Sequence, residues 1–137
     1  MPEVTFFMCA LQTLKDDQNV LVVRGPLNTL KPPYIPGAFS FSVVFGMRGF
    51  KLNAKHVIRL VFKDPDGKEI RQLGPFPLQV PGDVEPDKSD EYREFIADIH
   101  LQNITFEQEG IHTAEIYLDD KKIDEFSIPV TPGKRGE

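Results

Sequence analysis

Apolar and polar residues alternate along most of this chain with a period of two, the spacing of strands that bury one face. Phe39, Phe41, Val43, Phe45 and Met47 point one way, with Ser40 and Ser42 opposite. Ile58, Leu60 and Phe62 repeat the pattern over 57–63, and Phe95, Ala97, Ile99 and Leu101 repeat it over 95–101. The first segment, residues 3–11, differs. Val4, Phe6, Met8 and Ala10 share one face while Phe7, Cys9 and Leu11 occupy the other, so both faces are predicted to be covered.

Turn chemistry separates these runs. KDDQN at 15–19 reads as a turn before a short apolar strand at 19–23. Asp64-Pro65-Asp66-Gly67 combines a proline preset for a turn with a glycine free to take positive φ, and predicts a hairpin to a strand near 68–72. A further edge segment follows at 75–80, then a solvated acidic loop at 81–94. Residues 24–37 hold four prolines and two glycines and read as a long irregular connection. LQNITFEQEG, from Leu101 to Gly110, reads as a corner in which Ile104 and Phe106 plug the end of the core.

Residues 106–130 form the best-specified stretch, a closing hairpin. His112, Ala114, Ile116 and Leu118 align on one face, Asp119-Asp120 makes the turn, and Phe126, Ile128 and Val130 answer. About eight strands with no long helix predict an all-β fold, an immunoglobulin-like antiparallel β-sandwich. The expected organisation is one domain over 1–131 with a flexible tail at 132–137.

Composition narrows the partners more than the fold. A chain of 137 residues suffices for one core without disulfides. The net charge of −5 argues against a phosphate backbone or an anionic membrane as the main partner. The single cysteine, Cys9, lies in an apolar run where a small buried thiol is expected. The first dozen residues lack the basic and long apolar regions of a signal peptide, and no apolar run is long enough to cross a bilayer. A cytoplasmic protein is the expectation.

From Gly37 onward the chain resembles a group of small uncharacterised bacterial proteins with an immunoglobulin-like or C2-like sandwich. The resemblance is carried by Pro36-Gly37-x-Phe39-x-Phe41, by His56-x-Ile58-x-Leu60 running into Asp64-Pro65-Asp66-Gly67, by Leu101 to Gly110, and by the hairpin from His112 to Val130. What it implies is a fold without an assigned reaction, cofactor or catalytic residue. One position departs from it. Similar hairpins often carry Tyr two residues after the glycine, its hydroxyl returning to the backbone as in a tyrosine corner, and here that position is His112. A buried imidazole bonded to the corner backbone is expected.

No motif names a reaction. His56, His100 and His112 have no ligand-like spacing to one another or to Cys9, and no nucleophile elbow, P-loop or dinucleotide fingerprint is present. No enzyme activity, cofactor or metal is expected. The strongest alternative is calcium or a small ligand held by loop carboxylates: Asp64 and Asp66, Asp119 and Asp120, or Asp83, Glu85, Asp87, Asp90 and Glu91. Against it, the turns at Asp64 and Asp119 should lie at opposite ends of a sandwich.

The same topology places the loop bearing Arg48, Lys51, Lys55 and His56 beside Asp119 and Asp120. A mixed-charge rim for a protein partner is expected there, formed by Arg48, Phe50, Lys51, Leu52, Lys55, Asp119 and Asp120. It requires Phe50 and Leu52 to be exposed or half-covered; the alternative is that they cap the core. A second route to association is a homodimer through the apolar first strand or its sheet face. The sequence therefore predicts a non-catalytic binding or accessory module that mediates protein–protein association, with no nucleic-acid or membrane partner.

Overall fold

A computed structural model describes residues 2–51, 54–79 and 94–133. Eight strands run through them: β1 (Glu3–Lys15), β2 (Leu21–Leu27), β3 (Gly37–Arg48), β4 (Lys55–Lys63), β5 (Glu69–Gln79), β6 (Glu94–Phe106), β7 (Gly110–Leu118) and β8 (Lys121–Val130). They form two antiparallel four-stranded sheets, ordered β2-β1-β3-β6 and β5-β4-β7-β8. This is an immunoglobulin-like sandwich: β1, β3 and β6 stand as strands A, B and E, while β5, β4, β7 and β8 stand as C′, C, F and G.

The alternating residues make the core. Phe41, Val43, Phe45 and Met47 of β3 pack with Ile58, Leu60 and Phe62 of β4, Leu101 of β6, and Ala114 and Ile116 of β7. The outward faces are polar but not bare. On β7, Glu115 is buried under its neighbours, taking Lys63 Nζ at 3.1 Å and the Tyr117 hydroxyl at 3.0 Å. Arg59 lies 4.3 Å from the Tyr117 ring centre, so long charged stems roof this sheet face while their heads stay wet.

Several boundaries differ from the sequence reading. β1 runs on to Lys15, and β2 extends through Gly25 and Pro26 to Leu27, so the irregular connection shrinks to 28–36. The segments at 68–72 and 75–80 are one strand, β5, which bends at Gly74. Gly74 has φ +98, and a Cβ there would stand 2.7 Å from Ile58 O, so only glycine lets the strand continue.

The corner expected over Leu101–Gly110 is instead a strand as far as Phe106. Asn103, at φ 53, breaks the alternation, and the inward register passes from Leu101 to Ile104 and Phe106. The acidic loop at 81–94 lies outside the described residues except for Glu94, which begins β6. Of the expected tail, Gly133 N donates to Pro32 O at 2.7 Å, and 134–137 lie outside the described residues. Among the described residues no helix is long and apolar enough to cross a membrane.

The two lateral sides of the sandwich are built differently. At the β1/β8 side the connection docks by main chain: Leu30 N donates to Pro129 O at 2.9 Å and Thr131 N to Leu30 O at 3.0 Å. Leu30 itself is fully buried, and Phe7 of β1 stacks on Phe126 of β8 with centroids 4.6 Å apart. At the β5/β6 side no described segment spans the gap.

Candidate functional site

The predicted rim forms only in part. The turn Asp119-Asp120 has φ 52 and 67, the paired positive values of a two-residue type I′ hairpin. This aims Asp119 back at β4, where its Oδ1 accepts Val57 N at 2.9 Å and its Oδ2 meets His56 Nδ1 at 2.5 Å. The His56 bond, then the Val57 amide, holds the Asp119 carboxyl below the usual range. Asp119 thus ties the hairpin to β4.

Asp120 lies 3.8 Å from Arg59, and Arg48 pairs with Glu3 at 3.1 Å rather than with the turn. Lys51 and Lys55 are exposed. The correction concerns Phe50. It is 0% exposed, packed against His56 and Phe95 at 5.4 and 5.3 Å, so it caps the core and offers nothing to a partner. Leu52 lies outside the described residues. Phe50 is therefore not available as an aromatic anchor at this end.

His112 is fully buried at the other end, between Phe62 and Phe106, with ring centroids at 5.9 and 5.3 Å. Its Nδ1 lies 3.1 Å from Gly110 O and so carries the proton; Nε2 is buried with no hydrogen-bond partner among the described residues. Desolvation lowers its pKa, partly offset by the Gly110 bond and the charge of Asp64. This is a corner imidazole kept neutral by burial. Cys9 is equally closed to chemistry, its thiol pushed up to about 12 by burial.

Asp64 and Asp66 are engaged in local structure. Asp64 Oδ1 accepts Asp66 N and Lys68 N, each at 2.9 Å, and Gln108 Nε2 donates to Asp66 Oδ2 at 3.1 Å. The β4/β7 register puts Lys63 against Thr113 and Ile58 against Leu118, so the Asp64 and Asp119 turns stand at opposite ends. Among the described residues no three of His, Cys, Asp and Glu converge. Asp83, Glu85, Asp87, Asp90 and Glu91 lie outside the described residues.

Folding also assembles a cluster that no sequence motif announced. On the outer face of β3 and β6, Ser42 Oγ lies 2.9 Å from His100 Nδ1, and His100 Nε2 lies 3.6 Å from Asp98 Oδ2, which also accepts the Thr13 hydroxyl at 2.9 Å. A serine nucleophile would also need donors for an oxyanion. Ser42 is buried, and β3 is paired on both sides there, with Ala10 and with His100, so its main chain is taken up by the sheet. The cluster braces the sheet face.

Among the described residues, the β5/β6 side holds an apolar concavity beside exposed apolar side chains. A groove of about 450 Å³ runs between the edges of β5 and β6, lined by Phe45, Ile58, Leu73, Phe76, Leu78, Phe95 and Ile99 among others. Phe76 is 41% exposed, and Ile96, on the outer face of β6, is 57% exposed. Arg71 Nη2 reaches Gln102 O at 3.5 Å near one end.

The two edges are guarded unequally. β5 carries Pro75 and Pro77, which cannot donate to a further strand; β6 has neither proline nor lysine along its length. The sequence reading missed this site because its walls come from two strands distant in sequence order. The prolines of β5 and their absence from β6 were the legible signal.

Comparison with known proteins supports the fold and supplies no reaction. The alkylpurine DNA glycosylase AlkC of Pseudomonas fluorescens, solved bound to DNA containing an abasic site analog, superimposes with a TM-score of 0.54 at 8% identity over 94% of this chain. The chain spans only 30% of that protein, so the likeness concerns a fold. An immunoglobulin-like protein from Pseudomonas aeruginosa aligns at 13% identity over 96% of this chain and 97% of its own, with a TM-score of 0.43. No curated protein matches the chain. A model described as a family of unknown function, DUF6941, matches residues 5–131, and the chain belongs to that family.

Proposed function

We propose that the protein is a non-catalytic binding module that associates with protein through the groove between β5 and β6. The observation that carries this reading is the groove itself: among the described residues, an apolar trough of about 450 Å³ flanked by a β6 strand that holds neither proline nor lysine and by the exposed Phe76. Apolar concavities beside exposed aromatics are where protein partners anchor, and an open strand edge adds main-chain hydrogen bonds. The outer face of β4 and β7, by contrast, is laced by its own ion pairs. The lone buried thiol of Cys9 fits a reducing compartment, and we place the protein in the cytoplasm.

A photo-cross-linking residue at Phe76 in the full chain, compared with one at Tyr34 on the opposite side, tests the reading in cells that contain the protein. Tyr34 is 78% exposed, so simple accessibility favours the control. Protein adducts from position 76 and not from position 34 are expected. No adduct from 76, or the same adducts from both, overturns it.

A further inference from the structure

We propose that the corner at His112 is an acid-sensitive seam: when the imidazole takes a second proton, the open ends of β7 and β8 part and Leu30 leaves the core, while the rest of both sheets stays folded.

His112 sits where the closing strap is fastened. It pairs with Ile128, two pairs inside the Gly110–Val130 end of the hairpin. Just beyond that end Leu30 bridges to Val130, its amide donates to Pro129 O, and its carbonyl accepts Thr131 N. The strap therefore hangs on the stretch of β8 that pairs with residues 110–112. The turn at 64–67 packs against the same corner, since a Cβ on Gly110 would stand 2.9 Å from Pro65 Cγ.

An apolar enclosure surrounds the ring. Phe62 of β4 stacks at 5.9 Å, and Phe106 of β6 stands edge-on at 5.3 Å. The charged groups on the elements around it are engaged elsewhere. Lys63 of β4 reaches Glu115 on the outer face, at 3.1 Å. In the turn, Asp64 Oδ1 holds the amides of Asp66 and Lys68, and Asp66 takes Gln108 Nε2. Glu109, before β7, accepts the Thr131 hydroxyl at 3.4 Å. Glu107 after Phe106 and Lys31 of the strap are exposed, and β8 brings no charged side chain over residues 126–130.

In the closed corner Nδ1–H is spent on Gly110 O, so a second proton must go to Nε2. That atom is buried and has no acceptor among the described residues. A cation enclosed without a partner is costly, and the Gly110 bond and the charge of Asp64 offset only part of the penalty. Once the corner opens, water solvates the ring and its ordinary value of 6.5 returns. The open form then binds a proton that the closed form resists, so acidification below 6.5 favours opening until the closed ring's own lowered value is reached.

Opening starts from this end because the other is held. Asp119 N donates to Val57 O at 2.8 Å, tying the hairpin turn to β4. Wetting His112 requires parting only the three pairs from Gly110–Val130 to His112–Ile128, together with the strap.

Hydrogen exchange of the full chain, followed by NMR at low denaturant concentrations, tests the seam. Between about pH 6.5 and 5 the protection of the Leu30 and Thr131 amides, corrected for intrinsic rates, should fall by up to about tenfold per pH unit. Their exchange should depend weakly on denaturant, whereas amides of β3, which is paired on both sides, should show the steep dependence of global unfolding. In His112→Phe the fall should vanish; His112→Tyr removes the same proton site and serves if the first variant does not fold. Seam amides that hold their protection across this range overturn the proposal. So does exchange as steep in denaturant as that of β3, or a pH dependence that persists in the folded variant.

Discussion

The two lateral sides of this sandwich face the same problem, an open gap between two sheets, and meet it in opposite ways. On the β1/β8 side a loop residue, Leu30, threads its main chain along β8 and buries its side chain completely, while Phe7 and Phe126 stack across the gap. On the β5/β6 side the apolar walls meet no described strap and form a groove. One side spends its apolar surface on folding; on the reading proposed above, the other keeps it for association. Stability and binding should therefore separate by side.

The largest break in this comparison is Leu30→Ala. The side chain is fully buried and its main chain holds the seam, so truncation should cost about 3 kcal/mol, read as a lower denaturant midpoint at unchanged slope. A loss below about 1 kcal/mol would mean that the seam is not what closes that side.

The second prediction concerns pH at His112, which lies at the same end as Leu30 through the pairs His112–Ile128 and Leu30–Val130. Burial lowers its pKa from an ordinary 6.5, so the unfolded chain binds a proton that the folded chain resists. Stability should then rise with pH between the lowered folded value and 6.5, and fall on acidification through that window. His112→Phe removes the unpartnered Nε2 and keeps an aromatic ring between Phe62 and Phe106. It should flatten the slope in that window; an unchanged slope assigns the dependence elsewhere.

The smallest effect on stability is expected on the open side. Phe76→Ser alters a residue already 41% exposed and should change stability by less than about 1 kcal/mol. The same substitution should abolish cross-linking from a reporter at the neighbouring Leu78. A variant that loses stability as Leu30→Ala does, with association intact, would show that the two sides do the same job.

Much of the fold was legible because strand burial is written locally. The faces of β3, β4 and β7 follow from alternation, and the Asp64 and Asp119 turns follow from residues that tolerate tight backbone, as the hydrogen bonds to Asp64 Oδ1 and the positive φ of Asp119 and Asp120 bear out. The breaks in phase were not legible. Asn103 shifts the inward register of β6 without ending the strand, and Gly74 bends β5 without dividing it. A one-residue slip changes which face is buried, and only the pairing partners decide whether a strand tolerates it.

The candidate site was read less well, for a related reason. Phe50 reads as a rim aromatic because its neighbours are basic, yet it is covered by Phe95 from another strand. The first strand reads as a route to a homodimer, by its edge or its sheet face; β2 pairs with it over Cys9–Lys15 and β3 over Glu3–Ala10, so among the described residues only Glu3–Met8 keeps an edge character. Exposure is a property of what packs alongside, which local pattern does not carry.

The sequence by itself determined the all-β class, the inward faces of the main strands, the turns, and His112 as the corner residue. Each of these depends on residues within a few positions of one another, through steric limits on φ and the period of a pleated strand. Only the tertiary structure decided which lateral side Leu30 seals, that β5 and β6 face each other across a groove, and that Ser42, Asp98 and His100 meet. Those depend on strand order in two sheets, which places residues far apart in sequence side by side.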